Sequence, residues 1–221
     1  TVNETARPLI GTEIALGIIP SGSGNGLARH LQIPFDIDKA IRTINLSQTR
    51  KIDIVEINDQ IFLSIAGVGF DAHVAKKFAR QSQRGFWGYA RIALREYFRY
   101  RPKKFVLIVD GKKIKRRALF ISFANSDQFG YNTSIAPNAC IDDGMVDVCI
   151  ARKTSLFKTL LWAPLLLFRK IDKAPYIEII RAREVDIKQS KKKINLDGEP
   201  LKLGKRLHIH VVPASLNVIV P

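Results

Sequence analysis

Carboxylates are scarce in this sequence, 20 Asp and Glu against 36 Lys and Arg in 221 residues, so the places where they gather are the first candidates for chemistry. One is Asp142-Asp143-Gly144-Met145-Val146-Asp147, preceded by Pro137-Asn138-Ala139. Paired carboxylates beside a glycine turn can hold Mg²⁺ or Ca²⁺ through side-chain and backbone oxygens; the same residues also make an ordinary polar turn before a strand. A second is Asp197-Gly198-Glu199, either a tight turn between strands or a pair of carboxylates serving as general base and as metal or nucleotide contact. Asp71, directly after Gly69-Phe70, is placed to cap a helix. The four histidines show no metal-ligand spacing, and Cys140 and Cys149 show neither Cys-x-x-Cys spacing nor histidine neighbours.

The other stretch with chemical potential is Pro20-Ser21-Gly22-Ser23-Gly24-Asn25-Gly26-Leu27-Ala28. An apolar run ends at Pro20 and helical character resumes at Leu27, so the pattern is strand, loop, helix start. Three glycines let backbone approach a ligand closely, and the first amides of the helix have no internal partner, an arrangement that attracts phosphate. A plain β–α turn has the same spelling.

These residues need a scaffold, and the composition allows one. With 46% hydrophobic residues the chain can bury a sizeable core as one large or two smaller domains, which excludes a disordered protein. A net charge of +16 points to a polyanionic partner: nucleic acid, an anionic membrane surface or phosphorylated small molecules. The cysteine usage predicts a reduced, cytoplasmic setting. The chain opens on Thr1 inside an apparent helix with no signal peptide, and reads as a piece of a longer protein. The apolar run 160–168 is short of the roughly 20 residues a membrane span needs, and is expected to be a soluble or interfacial helix.

The pattern predicts helices over 2–10, 25–31 and 39–46, the last capped by Asp36 or Asp38, with a buried strand at 14–19. From Lys51 the texture changes to short strands: 52–57 and 61–65, a hairpin from 105–109 through Asp110-Gly111 to 112–123, then 145–150, 176–180, 185–187, 193–196, 207–212 and 216–220. Between them lie a basic helix carrying Trp87, Ile92, Tyr97 and Phe98 at helical spacing, and a helix 155–168 capped by Thr154. The fold class expected is α+β, mainly an antiparallel β-sandwich with attached helices.

In their order and approximate spacing, Thr1-Val2-Asn3-Glu4, the 20–28 loop, Gly69-Phe70-Asp71-Ala72, Pro137-Asn138-Ala139 with Asp143-Gly144, and Asp197-Gly198-Glu199 resemble the diacylglycerol kinase catalytic-domain family of lipid kinases, which includes sphingosine and ceramide kinases and soluble bacterial lipid kinases. The resemblance implies a nucleotide-binding α/β domain with a Gly-Gly-Asp-Gly-Thr signature and a β-sandwich domain that binds the lipid. Thr1 looks like the last residue of that signature. Residues 1–48 would then be the C-terminal remnant of the α/β nucleotide-binding domain, 49–210 the lipid-binding sandwich, and 211–221 a strand returning to the first domain.

Carried over by position, the resemblance implies ATP and Mg²⁺. Thr1 and Asn3 would border the ATP phosphates, with Gly22, Ser23, Gly24 and Asn25 holding the nucleotide. Asp143 would be the Mg²⁺ side-chain ligand, completed by the backbone carbonyls of Cys140 and Met145, with Asp71 in the acidic network linking that ion to the cleft. The general base would be Asp197 or Glu199. Asn25-Gly26 departs from the Asn-Asp of many bacterial members and is closer to the sphingosine and ceramide kinase version, which counts against diacylglycerol as acceptor. The expectation is an ATP-dependent lipid kinase, inactive as these 221 residues alone, associated peripherally with membranes. Its partners would be a lipid substrate, an anionic membrane surface and a second copy as homodimer, and no nucleic acid. The alternatives are a small-molecule kinase of the NAD kinase superfamily and a basic nucleic-acid-binding β-domain.

Overall fold

The structure, a computed structural model, describes residues 1–22, 24–46, 48–80, 85–130 and 132–221. The N-terminal part holds α1 (Val2–Ala6), β1 (Ala15–Leu16), α2 (Gly26–His30) and α3 (Ile37–Leu46). There follow β2 (Thr49–Ile57), β3 (Gln60–Phe62), β4 (Ile65–Gly69), α4 (Phe70–Phe78), α5 (Phe86–Arg99), β5 (Lys103–Val109), β6 (Lys112–Ala118), β7 (Phe120–Ala124), β8 (Gln128–Gly130), β9 (Thr133–Ser134) and β10 (Val146–Ala151). The chain closes with α6 (Leu156–Trp162), α7 (Pro164–Leu167), β11 (Ile177–Ala182), β12 (Glu184–Lys188), β13 (Lys193–Leu196), β14 (Glu199–Lys202) and β15 (Arg206–Ile219).

Two antiparallel sheets face each other, as the short alternating strands predict. One has the order β3-β2-β15-β12-β5-β6, with β1 added parallel to β15; the other has β11-β10-β7-β4-β13-β14. Between them Val55, Phe62, Phe105, Leu107, Ile121, Phe123, Val148 and Ile209 form the sandwich core. The exposed edge strand β6 carries Lys112, Lys113, Lys115, Arg116 and Arg117, charges that discourage edge-to-edge pairing.

The strands expected at 207–212 and 216–220 are one strand, β15, interrupted by a bulge between Val212 and Leu216 where Pro213 and a left-handed Ala214 (φ 46°) are tolerated. Its first half pairs with β12 and β2 in the sandwich. Its second half pairs with β1 and with Thr49–Ile52 of β2, where Leu216 and Val218 join Ala6, Leu16, Ile18, Leu27 and Leu31 in a second core. The bulge is pinned by Asp53, 1% exposed, whose carboxylate accepts from Ala214 N (2.7 Å) and Gly144 N (2.7 Å).

Two runs read as single strands divide because the chain crosses between sheets. The run that begins at Gln60 leaves the first sheet after Phe62 and enters the second at Ile65; the hairpin's second arm changes sheet at Leu119. Asp110 (φ 44°) and Gly111 (φ 79°) form the hairpin turn as expected. Helix 155–168 is corrected to two, because Pro164 opens a new one, and the cap is Ser155 rather than Thr154, its Oγ accepting from Lys158 N at 3.3 Å. Helix 2–10 shortens to α1 and a 3₁₀ turn through Pro8, strand 14–19 to Ala15–Leu16, and Asp36, not Asp38, bonds the N-terminus of α3 (Lys39 N, 2.9 Å).

Gly69 shows how tightly β4 lies on its neighbour. Its φ is +84°, and a Cβ there would stand 2.8 Å from Leu119 O and 3.1 Å from Phe120 Cα, both backbone. Gly69→Ala is expected to destabilise the fold by about 3 kcal/mol, combining left-handed strain with displacement of β7, as read by denaturant unfolding. Among the described residues, no helix is long and apolar enough to cross a membrane.

Candidate active site

The crossing at Leu63-Ser64 leaves three backbone N–H groups without a strand partner, and one distant side chain takes them all. Asp197, in a left-handed turn residue (φ 47°) between β13 and β14, accepts from Leu63 N (2.9 Å) on Oδ2 and from Ser64 N (2.9 Å) and Ile65 N (3.0 Å) on Oδ1. Its fourth donor is Asn3 Nδ2 at 2.9 Å, the same amide that donates to Ile61 O at 2.9 Å. The structure thus brings together Asn3 and Asp197, 194 residues apart, at the sheet crossing. Glu199, the other carboxylate of that element, opens β14 and is exposed.

Two residues before Asp197, Asn195 donates to Asp71 Oδ2 at 3.0 Å, and Tyr89 OH approaches Oδ1 at 3.4 Å. Asp71 lies in the first turn of α4 and is 3% exposed; burial pushes its carboxyl up to about 6, against the two hydrogen bonds. Gly67 makes room for it, since a Cβ there would lie 1.8 Å from Asp71 Oδ2.

The 20–26 loop closes on itself. Asn25, left-handed at φ 49°, accepts from Gly22 N (3.0 Å) and donates to Gly22 O (2.6 Å), while Gly24 O accepts from Arg29 Nε (3.3 Å) and a Cβ on Gly24 would meet nothing within 4 Å. Ser23 lies outside the described residues. Thr1 is exposed, its carbonyl accepting from Thr5 N at 3.0 Å.

In the loop 140–145, Asp143 Oδ1 accepts from Met145 N (3.0 Å) and Oδ2 is paired with Arg181, which also reaches the buried Asp147 at 3.5 Å. Asp142 pairs with Arg50 at 2.7 Å and accepts from Cys140 Sγ at 3.1 Å. One carboxylate with the carbonyls of Cys140 and Met145 is the hard-oxygen donor chemistry that magnesium takes. Asp71 makes its contacts elsewhere, with Asn195 and Tyr89. Among the described residues the one trio of potential ligands with atoms within 4.8 Å of one another is Glu184, Asp186 and His208, exposed on a sheet face.

A segment that the sequence reading passed over joins these parts. Asn125 to Gln128, all at most 5% exposed, run from the sheet crossing to the Gly-rich loop. Asn125 Nδ2 donates to Leu63 O and Asp53 O, both at 2.9 Å, and Asn125 N and Ser126 N donate to Ser64 O. Asp127 is paired with His30 at the end of α2 and with Arg169 after α7. Burial alone would raise its carboxyl, but the His30 hydrogen bond and the His30 and Arg169 charges outweigh that and hold it low. Gln128 lies against Gly26. Among the described residues Asn125 Oδ1, Ser126 Oγ, Gln128 Oε1 and Asn195 Oδ1 are buried without a hydrogen-bond partner, an accumulation of orphaned polar atoms beside the loop and the acidic turn that a bound polar ligand or water would satisfy. The signal available in the sequence was Asn-Ser-Asp-Gln directly after an apolar strand.

Comparison with known proteins gives the family. Residues 1–57 match the diacylglycerol kinase catalytic domain, and residues 64–220 match the YegS C-terminal NAD kinase beta sandwich-like domain. A diacylglycerol kinase of Mycobacterium tuberculosis is 32% identical over 236 residues, covering 100% of this chain and 74% of that protein. A crystal structure of a diacylglycerol kinase from Bacillus anthracis str. Sterne superposes with a TM-score of 0.79 at 25% identity, covering 100% of this chain and 74% of that one. With these two matches spanning nearly the whole sequence, the chain belongs to the diacylglycerol kinase catalytic-domain family.

Proposed function

We propose that this protein transfers the γ-phosphoryl group of ATP to the hydroxyl of a membrane lipid such as diacylglycerol or a sphingoid base. The observation that carries the reading is the bonded junction at Asp197, which fixes the acidic turn of the sandwich against Asn3 of the phosphate-side segment. Loop amides of residues 24–26 would hold phosphate oxygens; Asp197, whose four acceptor positions are filled here, would take the acceptor hydroxyl's proton once Asn3 turns its carboxamide away from Oδ2, with Glu199 at the rim. Phosphoryl transfer asks chiefly for positioning and charge neutralisation, which such a site supplies. Magnesium, held by Asp143 with the Cys140 and Met145 carbonyls, would neutralise negative charge. The 221 residues contain no Gly-Gly-Asp-Gly stretch, and alone they are expected to show no turnover.

The lipid must be reached at a membrane. Phe157, Leu160 and Leu161 of α6, with Leu167 and Phe168 at the end of α7, are more than half exposed, while Trp162, Leu165 and Leu166 pack inward. Beside them α5, tied to α6 through Tyr97 OH and Thr159 Oγ1 (2.7 Å), exposes Leu94 and Phe98 among Arg91, Arg95 and Arg99. An apolar face rimmed with cations suits an anionic bilayer, each cation near the surface contributing about 1 kcal/mol. The test is to incubate the complete protein with γ-labelled ATP, Mg²⁺ and vesicles carrying diacylglycerol, sphingosine or ceramide. Label in the organic phase is expected; label confined to water-soluble acceptors would replace this reading with a small-molecule kinase.

A further inference from the structure

Away from the acidic turn, a cleft of about 410 Å³ opens between the C-terminal end of α5, the start of β5 and the segment leading into β13. Its walls carry Arg99, Arg101, Lys103, Lys191 and Lys193, with the Tyr100 ring between them. None of these five cations makes an ion pair with a carboxylate among the described residues. The carboxylate that reaches a lining residue, Glu96, hydrogen-bonds His73 (2.9 Å) and is already shared with Lys77 (2.7 Å) and Arg95 (3.4 Å). Elsewhere in this chain arginines meet partners, as Arg50, Arg116 and Arg181 do. Here like charges are gathered around a concavity and left uncompensated.

We propose that this cleft binds a phosphate-bearing anion, a phosphomonoester carried either by a lipid headgroup or by a soluble molecule. Concave walls of low dielectric focus the field of converging cations, and the volume is that of a small-ligand site rather than of a flat charged face. Arginine and lysine together supply the forked and point-charge donors that phosphate oxygens accept. Lys193 reports the crowding: burial, and then repulsion from Lys76, Lys191 and Arg80, lower its proton affinity, a strain that an anion between the cations relieves. Tyr100, packed against Phe70 and His73, gives the cleft a fixed wall. The proposal does not rest on the acidic turn or the Gly-rich loop, to which none of these residues belongs; Arg99 alone is shared with the rim of the apolar face.

The test compares two charge-matched pairs in the complete protein: Arg101→Gln with Lys193→Gln in the cleft, and Lys112→Gln with Lys113→Gln at the far end of β5 and β6. Calorimetric titration with sn-glycerol 3-phosphate and flotation with vesicles containing phosphatidic acid are the two arms. The cleft pair is expected to lose about tenfold or more in affinity, and the control pair less than about twofold. Loss in both arms indicates any phosphomonoester, loss with vesicles alone a lipid headgroup, and loss with glycerol phosphate alone a soluble ligand. Equal loss from both pairs, or no saturable binding in either arm, would overturn the site. Arg101→Gln alone, at an exposed position, gives the same reading should the Lys193 change disturb folding.

Discussion

Asp197→Asn is expected to lower the stability of the protein by about 3 kcal/mol, a drop of about 6–12 °C in Tm for a chain of this size. The carboxylate accepts four hydrogen bonds, three from the backbone of the sheet crossing and one from Asn3. An amide can accept at only one of its two heavy atoms. Its NH₂ must then face donors on the other side, and although Asn3 can turn its own carboxamide to adapt, Leu63 N or the Ser64 and Ile65 pair cannot. A buried N–H left without an acceptor costs about 1–3 kcal/mol, and the charge assistance to the remaining bonds is lost as well. Glu199→Gln, at an exposed residue of the same turn, is expected to change stability by less than about 0.5 kcal/mol and activity only severalfold. Thermal unfolding of both variants separates the residue that holds the junction from its neighbour.

Asp71→Asn is expected to move stability the other way. Burial raises the folded carboxyl from 3.8 to about 6, so ionising it at neutral pH opposes folding. A carboxyl raised on folding favours the native state at low pH, and that advantage disappears as pH climbs from about 4 through about 6. A neutral isostere escapes the penalty. Asp71→Asn is therefore expected to unfold at higher denaturant than the parent above pH 7, by an amount on the order of 2–3 kcal/mol, with the gap closing towards pH 4. In the kinase reading, lipid phosphorylation falls while stability rises, as happens where an ionisable group is kept buried for function. A gap that is constant with pH, or a less stable variant at pH 7.5, would show that Asp71 is not held against burial.

How much of this was legible in the sequence depends on the range of the interaction. The sandwich was, because alternation and turn residues such as Asp110-Gly111 are local signals. The run that changes sheet at Leu63-Ser64 was not, since what holds that crossing is a contact made far away: Asp197 meets Leu63 across 134 residues. The acidic turn was visible as a cluster, but its bond to Asn3 was not. Asp53 carries no signal, being a single polar residue in an apolar strand, and the polar run Asn125 to Gln128 after β7 marks a place but not its partners, which only the fold reveals. The end of α6 at Pro164 was readable from proline chemistry and was missed because the apolar run continues through it.

The Asp197 junction is expected to serve phosphoryl transfer to a lipid. The most direct test is to follow labelled γ-phosphoryl into vesicle lipid with the complete wild-type protein and with Asp197→Asn, at a temperature where both are folded. Organic-phase label is expected from the wild type, with labelling at least a hundredfold slower from the variant, the scale of losing a positioned proton acceptor. No labelled lipid from any acceptor, or equal labelling by the two proteins, would contradict it.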